Sequence, residues 1–354
     1  MFPGIALAEA FLSLFPGGSV SFAGTQGGLE ARAVPERGFE IDFVSAGQVR
    51  GKGAGGLQGL VRMVGGLCAS FSVLRRRRPD FVFGIGGYAS VPVSLAAAAM
   101  GIPLFLQEQN AVPGRSNRML GRVARHVYTG FGGAISYFPP GKASVSGNPV
   151  RREIVEAAAE SREQLPPLPP FTVFAMGGSQ GARAINELVL GMGRAVKGEG
   201  GEMRFLLQTG EREFAGVAGV VKEEGLPVEP FPFTDRIGEA FARCHAVLMR
   251  AGALSIAEAA LFGKPCVLIP YPFAADRHQE RNAVEFCAEG GGVWIRQEEA
   301  SVEKVREALS LWSEDPERRQ AAEQGAARFS RPEASLAILR SALRELGKGA
   351  GGNV

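Results

Sequence analysis

The chain is poor in the residues that usually hold metal ions or form disulfides. Its 354 residues include five aspartates, three histidines and four cysteines. No two aspartates form a D-x-D pair, a short motif that often holds a divalent ion, so we predict that no metal takes part. The cysteines lie in apolar surroundings without C-x-x-C spacing, which favours reduced packing residues over a disulfide or a zinc site.

The chain also lacks a basic segment at its apolar start and lacks charge over one long internal stretch. Because positions 1–15 contain no basic residue, no signal peptide is predicted. The uncharged stretch runs from Phe81 to Gln107 and is long enough to cross a bilayer. Glycines and prolines divide it into the strand FVFGIGG, the helix VPVSLAAAAM and the strand PLFL. Strands that are apolar on both faces are typical of a buried parallel sheet, so we predict a βαβ unit and no membrane span.

Strand-like and helical segments alternate along the chain in two series. The first contains SVSFAG, EIDFVS, FVFGIG, PLFLQ and HVYTGF, and the second contains FTVFAMG, MRFLLQTG, PVEPFPF, AVLMR and PCVLIPYP. The proline-rich connector SREQLPPLPPFTV separates them. With 45% hydrophobic residues, the pattern predicts an α/β protein of two doubly wound domains. We place a first domain at residues 1–160, a linker at 161–170, a second domain at 171–330, and a C-terminal helix with a disordered tail at 331–354.

Charge is unevenly divided between the two halves. Residues 1–150 carry a net charge of +7, whereas the remainder carries −4. A basic half joined to a mildly acidic half indicates that the first half meets an anionic surface or ligand. Ordinary scatter in surface charge is the alternative.

Each series has a glycine-rich turn after a strand, GIGGYAS in the first and GGSQGARAIN in the second. Such turns let backbone N–H groups approach a phosphate, although any parallel α/β protein needs glycines there. The first turn fits G-x-G-x-x-A, and Glu108 ends the next strand, as in a dinucleotide fingerprint. A nicotinamide-dependent oxidoreductase is therefore an alternative function. Against it, the fingerprint usually opens the first βαβ unit of its domain, and here it comes later.

The segment CHAVLMRAGALSIAEAALFGKP places a strand, a glycine turn and a helix in succession. Small residues at the predicted helix start, Gly252, Ala253 and Ser255, leave room for a diphosphate against the exposed N–H groups. Glu258 follows Ser255 by three residues and would accept hydrogen bonds from ribose hydroxyls. The alternative is a capping box, S-x-x-E, which needs no ligand.

Polar side chains follow other strands of both series. The candidates are Glu108, Gln109 and Asn110 after PLFLQ, Arg151 and Arg152 in GNPVRRE, and Asp276, His278, Gln279 and Asn282 after PCVLIPYP. Strand ends of an open parallel sheet face the ligand crevice, so these residues are placed to touch a polar ligand. Solvated loops are the alternative at each position.

Six motifs, in this order and with these separations, resemble those of one bacterial family. They are FAGTQGGLEARAVPERGFEIDFV, GIGGYASVPVSLAA, EQNAVPGRSNRML, GNPVR, GGSQGARAIN and GALSIAEAALFGKPCVLIPYP. The chain resembles the MurG family, the N-acetylglucosaminyltransferases that complete the lipid-linked peptidoglycan precursor. The resemblance implies a GT-B fold, with two Rossmann-like domains facing a cleft. It also implies inverting transfer of N-acetylglucosamine from UDP-N-acetylglucosamine to the 4-hydroxyl of undecaprenyl-pyrophosphoryl-N-acetylmuramyl-pentapeptide, without a cofactor.

The family's donor-binding residues carry over where the motifs match. By this resemblance Asn110 of QEQN would face the sugar, while Arg151 of GNPVR and Ser179 of GGSQG would lie near the UDP. Thr234 of PFTD would present its backbone to uracil.

The same resemblance assigns the helix start of the second domain to the diphosphate and ribose. The turn of Ala253, Leu254, Ser255, Ile256 and Ala257 would surround the diphosphate. Glu258 would contact the ribose, and Gln279 would lie near the sugar hydroxyls. Backbone N–H groups fixed in that place would stabilise the charge that develops on the leaving UDP.

The chain departs from the family at its start. In the family, MFPGIALAEAF corresponds to the helix after a strand and a glycine loop of the GGTGGH type, whose histidine is the favoured general base. The chain contains neither, and we expect that its start codon is assigned too late. Glu108 is the candidate base within the chain, and a catalytically inactive UDP-sugar-binding protein is a further alternative. Gln107 also stands where many relatives have histidine.

The basic first half contains a segment suited to a membrane surface. GGLQGLVRMVGGLCASFSVLRRRRPD combines an apolar helix with the four arginines Arg75–Arg78. Apolar residues beside a basic cluster are typical of docking on an anionic leaflet, although a core helix with a solvated end is the alternative. Because the implied acceptor is lipid-linked, we predict a peripheral protein on the cytoplasmic face of the cell membrane, with no nucleic-acid partner.

Overall fold

The computed structural model describes residues 1–45, 54–161, 168–178, 181–234 and 236–347, and for residues 54–63 it describes the backbone alone. The chain forms two compact units. The first comprises Met1–Arg152 together with Glu333–Val354, and the second comprises Glu153–Pro332. The domain limits predicted above, with a linker at 161–170, stay predictions, since residues 162–167 lie outside the described part.

Helices and parallel strands alternate along the whole chain. The helices are α1 (Phe2–Leu14), α2 (Glu30–Ala33), α3 (Ala54–Arg77), α4 (Ser90–Ala99), α5 (Arg115–Leu120), α6 (Arg152–Ser161), α7 (Arg183–Glu199), α8 (Phe214–Glu224), α9 (Ile237–Ala242), α10 (Ala253–Leu261), α11 (His278–Ala288), α12 (Val302–Ser313), α13 (Pro316–Phe329) and α14 (Ala334–Glu345). The strands are β1 (Ser21–Gly24), β2 (Glu40–Phe43), β3 (Val82–Gly84), β4 (Leu104–Glu108), β5 (His126–Thr129), β6 (Ala143–Val145), β7 (Phe171–Met176), β8 (Met203–Gln208), β9 (Val228–Phe231), β10 (Ala246–Met249), β11 (Cys266–Leu268) and β12 (Gly292–Trp294).

The first unit contains two parallel sheets. One pairs β1 with β2, and the other has the order β3-β4-β5-β6. Every residue of β4 is buried, as expected for a strand covered by helices on both faces. On one face, Leu7 of α1 and Phe105 of β4 pack against Ile338 and Leu339 of α14. The last long helix therefore belongs to the core of the first unit.

The second unit is a doubly wound six-stranded parallel sheet of order β12-β11-β10-β7-β8-β9. The chain builds outward from β7 through β8 to β9 and then returns to β10 on the other side of β7. The strand order thus reverses between β7 and β10, which pair from Val173 and Ala246 to Met176 and Met249. In open α/β sheets, ligands bind outside the carboxyl ends of the strands at such a switch point.

The two strand–helix series predicted from the sequence are confirmed. The segments FVFGIGG, VPVSLAAAAM and PLFL form β3, α4 and β4, and no helix in the described ranges is both long and apolar enough to span a bilayer. The sequence analysis missed β6 and β12, which are three residues long and lie at sheet edges. β3 and β11 are equally short, but they lie in the longer uncharged stretches Phe81–Gln107 and PCVLIPYP, which made them recognisable.

Candidate active site

The carboxyl ends of β7 and β10 carry the two turns that the sequence analysis singled out in the second unit. After β7 come Gly177 and Gly178, and after β10 the chain passes through Arg250 to Gly252, where α10 begins. Neighbouring parallel strands end at the same sheet edge, so both turns lie at the switch point. This is the place where a doubly wound sheet binds its ligand.

The start of α10 is built without a side-chain cap. Gly252 is the N-cap residue, with φ −68° and ψ 136°, and it has no side chain with which to cap the helix. Its carbonyl accepts the hydrogen bond of the Ile256 N–H at 2.9 Å. A Cβ on Gly252 would have Ser255 Oγ as its nearest neighbour, at 3.5 Å, so the backbone beside Gly252 is not crowded by other side chains. An anion is stabilised at such a helix end.

The capping-box interpretation of Ser255 and Glu258 is wrong. A capping box requires the serine at the N-cap, whereas α10 begins at Ala253 and Ser255 is its third residue. Glu258 therefore lies one turn further along the helix, half-buried, with no cap to form. Ser255 and Glu258 are three positions apart and share one face of α10.

Arg250, which the sequence analysis did not single out, holds the carboxyl edge of the six-stranded sheet together through hydrogen bonds. It is 9% exposed, and its Nη1 donates to the carbonyls of Ile269 at 3.1 Å and Pro270 at 3.3 Å. Its Nη2 donates to Gln297 Oε1. Burial lowers the pKa of Arg250 from its ordinary value. The guanidinium thereby joins the turn after β10 to the turn after β11.

Two amide side chains fix α11 against the same edge. Gln279 Oε1 accepts the Tyr271 N–H at 2.9 Å, and the fully buried Asn282 donates from Nδ2 to the Ala251 carbonyl at 3.1 Å. Just before α11, Asp276 and Arg277 have positive φ angles of 50° and 51°. Non-glycine residues seldom adopt that conformation, and such strain is characteristic of functional segments.

The remaining predicted donor contacts are only partly described. Thr234 is half-buried, and its Oγ1 accepts the Arg236 N–H at 3.1 Å. Ser179 lies outside the described residues. Gly181, at the end of the same glycine loop, has φ +72°, and a Cβ there would lie 2.2 Å from the Thr209 carbonyl oxygen. Only glycine therefore fits at this position of the loop.

In the first unit, Glu108 holds the loop that follows β4. The side chain is 2% exposed. Oε1 accepts hydrogen bonds from the Asn110 N–H at 3.0 Å and from Asn110 Nδ2 at 3.4 Å. Oε2 accepts from the Gly114 N–H at 3.2 Å and from Asn117 Nδ2 at 2.9 Å. With three donors from its own loop and one from Asn117 of α5, the carboxylate positions Asn110, and a general base would instead need an oxygen directed at the attacking hydroxyl.

Arg151 also lies in the first unit, at the end of the turn after β6. It is 7% exposed, and its guanidinium carbon lies 4.9 Å from the ring centre of Phe2 in α1. A cation over an aromatic face is attracted by the negative face of the ring. The side chain is thus held close to the start of α1.

Of the four arginines predicted to meet a membrane, Arg75–Arg78, two form ion pairs with acidic residues of β2. Arg77 Nε donates to Asp42 Oδ2 at 2.8 Å, and Arg76 Nη2 donates to Asp42 Oδ1 at 2.7 Å. Arg77 also pairs with Glu40. These bonds lower the pKa of Asp42, chiefly through the Arg77 hydrogen bond. Two of the four consecutive charges are thus committed to β2.

In the part of the chain that the structure describes, the cysteines are free thiols and no cluster of metal-binding side chains is found. All four cysteines are unbridged. Burial raises the pKa of Cys244 to about 11 and that of Cys287 to about 12, which makes both thiols poor nucleophiles. Within the described ranges, no group of three or more His, Cys, Asp or Glu side chains is placed to hold a metal ion.

Two domain families match the chain, one in each half. Residues 1–129 match the glycosyltransferase family 28 N-terminal domain, and residues 172–337 match the glycosyltransferase family 28 C-terminal domain. Fold and site thus define a two-domain glycosyltransferase of the GT-B type, and the predicted fold class is confirmed.

Relatives narrow the class further. The chain is 40% identical over 345 residues to the UDP-N-acetylglucosamine–N-acetylmuramyl-(pentapeptide) pyrophosphoryl-undecaprenol N-acetylglucosamine transferase of Geobacter sulfurreducens, covering 96% of this chain and 93% of that protein. It is 37% identical over 336 residues to the protein of the same name from Myxococcus xanthus, covering 95% and 87%. The chain belongs to this family, the MurG transferases, and the predicted resemblance is confirmed.

Solved structures share the fold. The crystal structure of Acinetobacter baumannii MurG has a TM-score of 0.77 at 24% identity, covering 97% of this chain and 95% of that chain. The calicheamicin glycosyltransferase CalG4 has a TM-score of 0.65 at 15% identity, covering 97% and 95%. These matches give no support to the nicotinamide-dependent alternative, whose ribose-binding candidate, Glu108, accepts three hydrogen bonds from its own loop and one from Asn117 of α5.

Proposed function

We propose that the chain transfers N-acetylglucosamine, with inversion, from UDP-N-acetylglucosamine to the 4-hydroxyl of undecaprenyl-pyrophosphoryl-N-acetylmuramyl-pentapeptide. The observation that carries the proposal is the start of α10, which follows β10 at the switch point of the second unit and has a glycine as its N-cap residue. The curated relatives at 40% and 37% identity are named for this reaction.

The donor diphosphate binds at the first turn of α10. Its negative charge is stabilised by the backbone N–H groups from Ala253 to Ser255, because a helix N-terminus carries about half a positive charge. The charge on the leaving UDP increases as the glycosidic bond breaks. Donors fixed in advance typically remove about 3 kcal/mol each from such a barrier. Glu258, one turn along the same face, accepts hydrogen bonds from the ribose hydroxyls.

Gln279 and Asn110 are each proposed to contact the donor sugar, and each is held by hydrogen bonds within its own unit. Gln279 Oε1 accepts the Tyr271 N–H, and Asn110 donates from its backbone N–H and from Nδ2 to Glu108 Oε1. Both amides are thereby held before the sugar binds. Fixed geometry of this kind lowers the entropic cost of bringing donor and acceptor together. Glu108 itself acts as a positioning residue.

Calorimetric titration of the chain with UDP-N-acetylglucosamine, UDP-glucose and NADH tests the donor assignment. We expect selective binding of UDP-N-acetylglucosamine, followed by UDP release when the lipid-linked acceptor is added. Binding of NADH without binding of UDP-sugars would refute the proposal. Selective donor binding with no UDP release would instead identify a non-catalytic sugar-nucleotide-binding protein.

We further propose that the chain docks peripherally on the anionic cytoplasmic face of the cell membrane, through α5, the residues that follow it up to Val123, and the turn at Gly132–Tyr137. Four apolar side chains are exposed there, namely Met119 (43%), Val123 (50%), Ile135 (38%) and Tyr137 (43%). Arg118 lies over the Tyr137 ring at 4.5 Å and adds a cation to this surface. Apolar side chains beside cations are typical of docking on an anionic leaflet, where each cation contributes about 1 kcal/mol.

Co-sedimentation with phosphatidylglycerol vesicles tests this docking surface. We expect Met119→Asp to weaken vesicle binding at least several-fold. Val64→Asp tests the competing surface, the α3 segment predicted from the sequence, because Val64 is equally apolar and is 55% exposed there. Loss of binding in Val64→Asp alone would move the docking surface to α3. Equal binding of neutral phosphatidylcholine vesicles would exclude a role for charge.

A further inference from the structure

Buried amide side chains join three segments at the carboxyl edge of the four-stranded sheet. Gln107, in β4, is fully buried. Its Nε2 donates to Asn148 Oδ1 at 3.0 Å, and its Oε1 accepts a hydrogen bond from Gln109 Nε2. The Gln107 side chain therefore donates to the turn after β6 and accepts from the loop after β4.

The partners of Gln107 close the network. Asn148, 3% exposed in the turn after β6, donates from Nδ2 to the Gln109 carbonyl at 3.0 Å. Gln109 Nε2 also donates to the Ile85 carbonyl at 3.0 Å, in the glycine turn after β3. The side chains of Gln107, Gln109 and Asn148 thus connect the ends of β3 and β4 to the turn after β6.

There is little room for this network to rearrange. A Cβ on Gly130 would lie 2.2 Å from Asn148 Oδ1, so the amide is packed directly against backbone. On the other face, Asn117 Nδ2 donates to the Gln107 carbonyl at 3.3 Å and to Glu108 Oε2 at 2.9 Å. The loop that carries Asn110 is therefore held from both sides.

We propose that Gln107 is a positioning residue for glycosyl transfer: its amide sets the loop of Gln109 and Asn110 against the turn of Asn148. The inference rests on the proposed function, in which Asn110 contacts the donor sugar. Gln107 itself does not touch substrate and acts through Gln109 and Asn148. An error of 1 Å in the position of such a loop costs up to about 100-fold in rate.

The chemistry of the side chain at position 107 decides which substitutions keep the network. Leucine is close in size and supplies neither a donor nor an acceptor. Neutral histidine supplies one of each, and protonated histidine supplies donors only. Gln107→His is therefore expected to work when its imidazole is neutral and to fail when protonation removes the acceptor for Gln109.

The ionisable groups next to position 107 in the sheet are Glu108 beside it in β4 and Tyr128 opposite it in β5. The Glu108 carboxylate favours the imidazolium, whereas burial favours neutral imidazole. Protonation is therefore expected near or below the ordinary histidine pKa of about 6.5.

The test compares the wild-type protein with Gln107→Leu, Gln107→His and the control Thr129→Val. Thr129 is equally buried in the neighbouring strand β5, and its Oγ1 donates to the Ser144 carbonyl at 3.3 Å, outside the network. Gln107→Leu is expected to lower kcat by about 10-fold to 100-fold, while UDP binding changes by less than about twofold. Thr129→Val should keep kcat within about twofold of wild type.

Two further readouts separate positioning from a general loss of packing. The ratio of Gln107→His activity to wild-type activity should fall as the pH drops below about 6.5. Amide hydrogen exchange across residues 109–114 and 148–150 should rise in Gln107→Leu and stay unchanged in Thr129→Val. A pH-independent ratio, or equal losses in Gln107→Leu and Thr129→Val, would overturn the inference.

Failure of the proposed function has a different signature, because the wild-type protein would then release no UDP at all. In that case the exchange measurement still decides whether Gln107 holds the loop. Unchanged exchange in Gln107→Leu overturns that role whatever the activity.

Discussion

Replacing Glu258 with alanine separates a ligand-binding role from a structural one at the start of α10. A side chain that caps a helix contributes about 1 kcal/mol to stability. Since Gly252 is the N-cap and Ser255 is the third helical residue, no cap is lost in Glu258→Ala. Alanine is also a strong helix former, so the change in helix propensity alters the free energy of unfolding by less than about 0.5 kcal/mol.

The effect on UDP binding should be much larger. A hydrogen bond to a charged group contributes about 1.5–3 kcal/mol, so losing the ribose contact corresponds to a 10-fold to 150-fold weaker Kd, roughly. Calorimetric titration with UDP and thermal unfolding measure the two effects on one sample. A UDP analogue lacking both ribose hydroxyls should bind wild type and Glu258→Ala equally.

Glu307→Ala is the matched control, since Glu307 is exposed on α12 and lies away from the switch point. It should change neither UDP binding nor stability. The reasoning is refuted if Glu258→Ala binds UDP as tightly as wild type. A loss of about 1 kcal/mol in stability without weaker binding would restore a capping role for Glu258.

Three other predictions concern the glycine loop, acid stability and metal dependence. Gly181→Ala should lower the free energy of unfolding by at least about 2 kcal/mol and weaken UDP binding, because residue 181 has a positive φ and its new Cβ would clash with the Thr209 carbonyl. The control is Gly216→Ala in α8, where a Cβ meets open space. It should be neutral or stabilising in the same denaturation assay. Arg77 and Arg76 lower the pKa of Asp42 in the folded chain. The ionised carboxylate therefore stabilises the fold above the ordinary pKa of 3.8, and this stabilisation is lost as the pH falls through the lower pKa of the folded chain. In denaturant unfolding from pH 7 to pH 2, Asp42→Asn should lose less free energy of unfolding than wild type, and identical pH profiles would contradict this. UDP release should persist in EDTA, and activity that returns only with added Mg²⁺ would disprove a metal-free reaction.

Most of the fold could be predicted because buried parallel strands and their turns leave local signals. FVFGIGG and PLFL are apolar on both faces, and the glycines after them mark turns. The turn at Gly252 could be predicted for the same reason, because a strand, small residues and a helical pattern follow one another directly in the sequence. In contrast, β6 and β12 are three residues long and do not lie in a longer uncharged stretch such as the one that contains β3.

The candidate site was predicted less completely, because its support comes from residues far apart in the sequence. Gln107 and Asn148 are separated by 41 positions, and Arg250 and Gln297 by 47. No local pattern indicates such pairs. The same limit applies to Arg76 and Arg77, which read as a free basic cluster until Asp42 is brought beside them.

Helix α14 has a consequence for how the chain folds during synthesis. Ile338, Leu339 and Ala342 complete the same buried cluster as Leu7 and Phe105. Residues 153–332 are synthesised between these two parts of one core. At about 5–20 residues per second, the ribosome needs roughly 10 to 40 seconds to add them. Throughout that interval, α14 is missing from the apolar face of the first unit. The second unit, although it is synthesised later, can therefore finish folding before the first unit does.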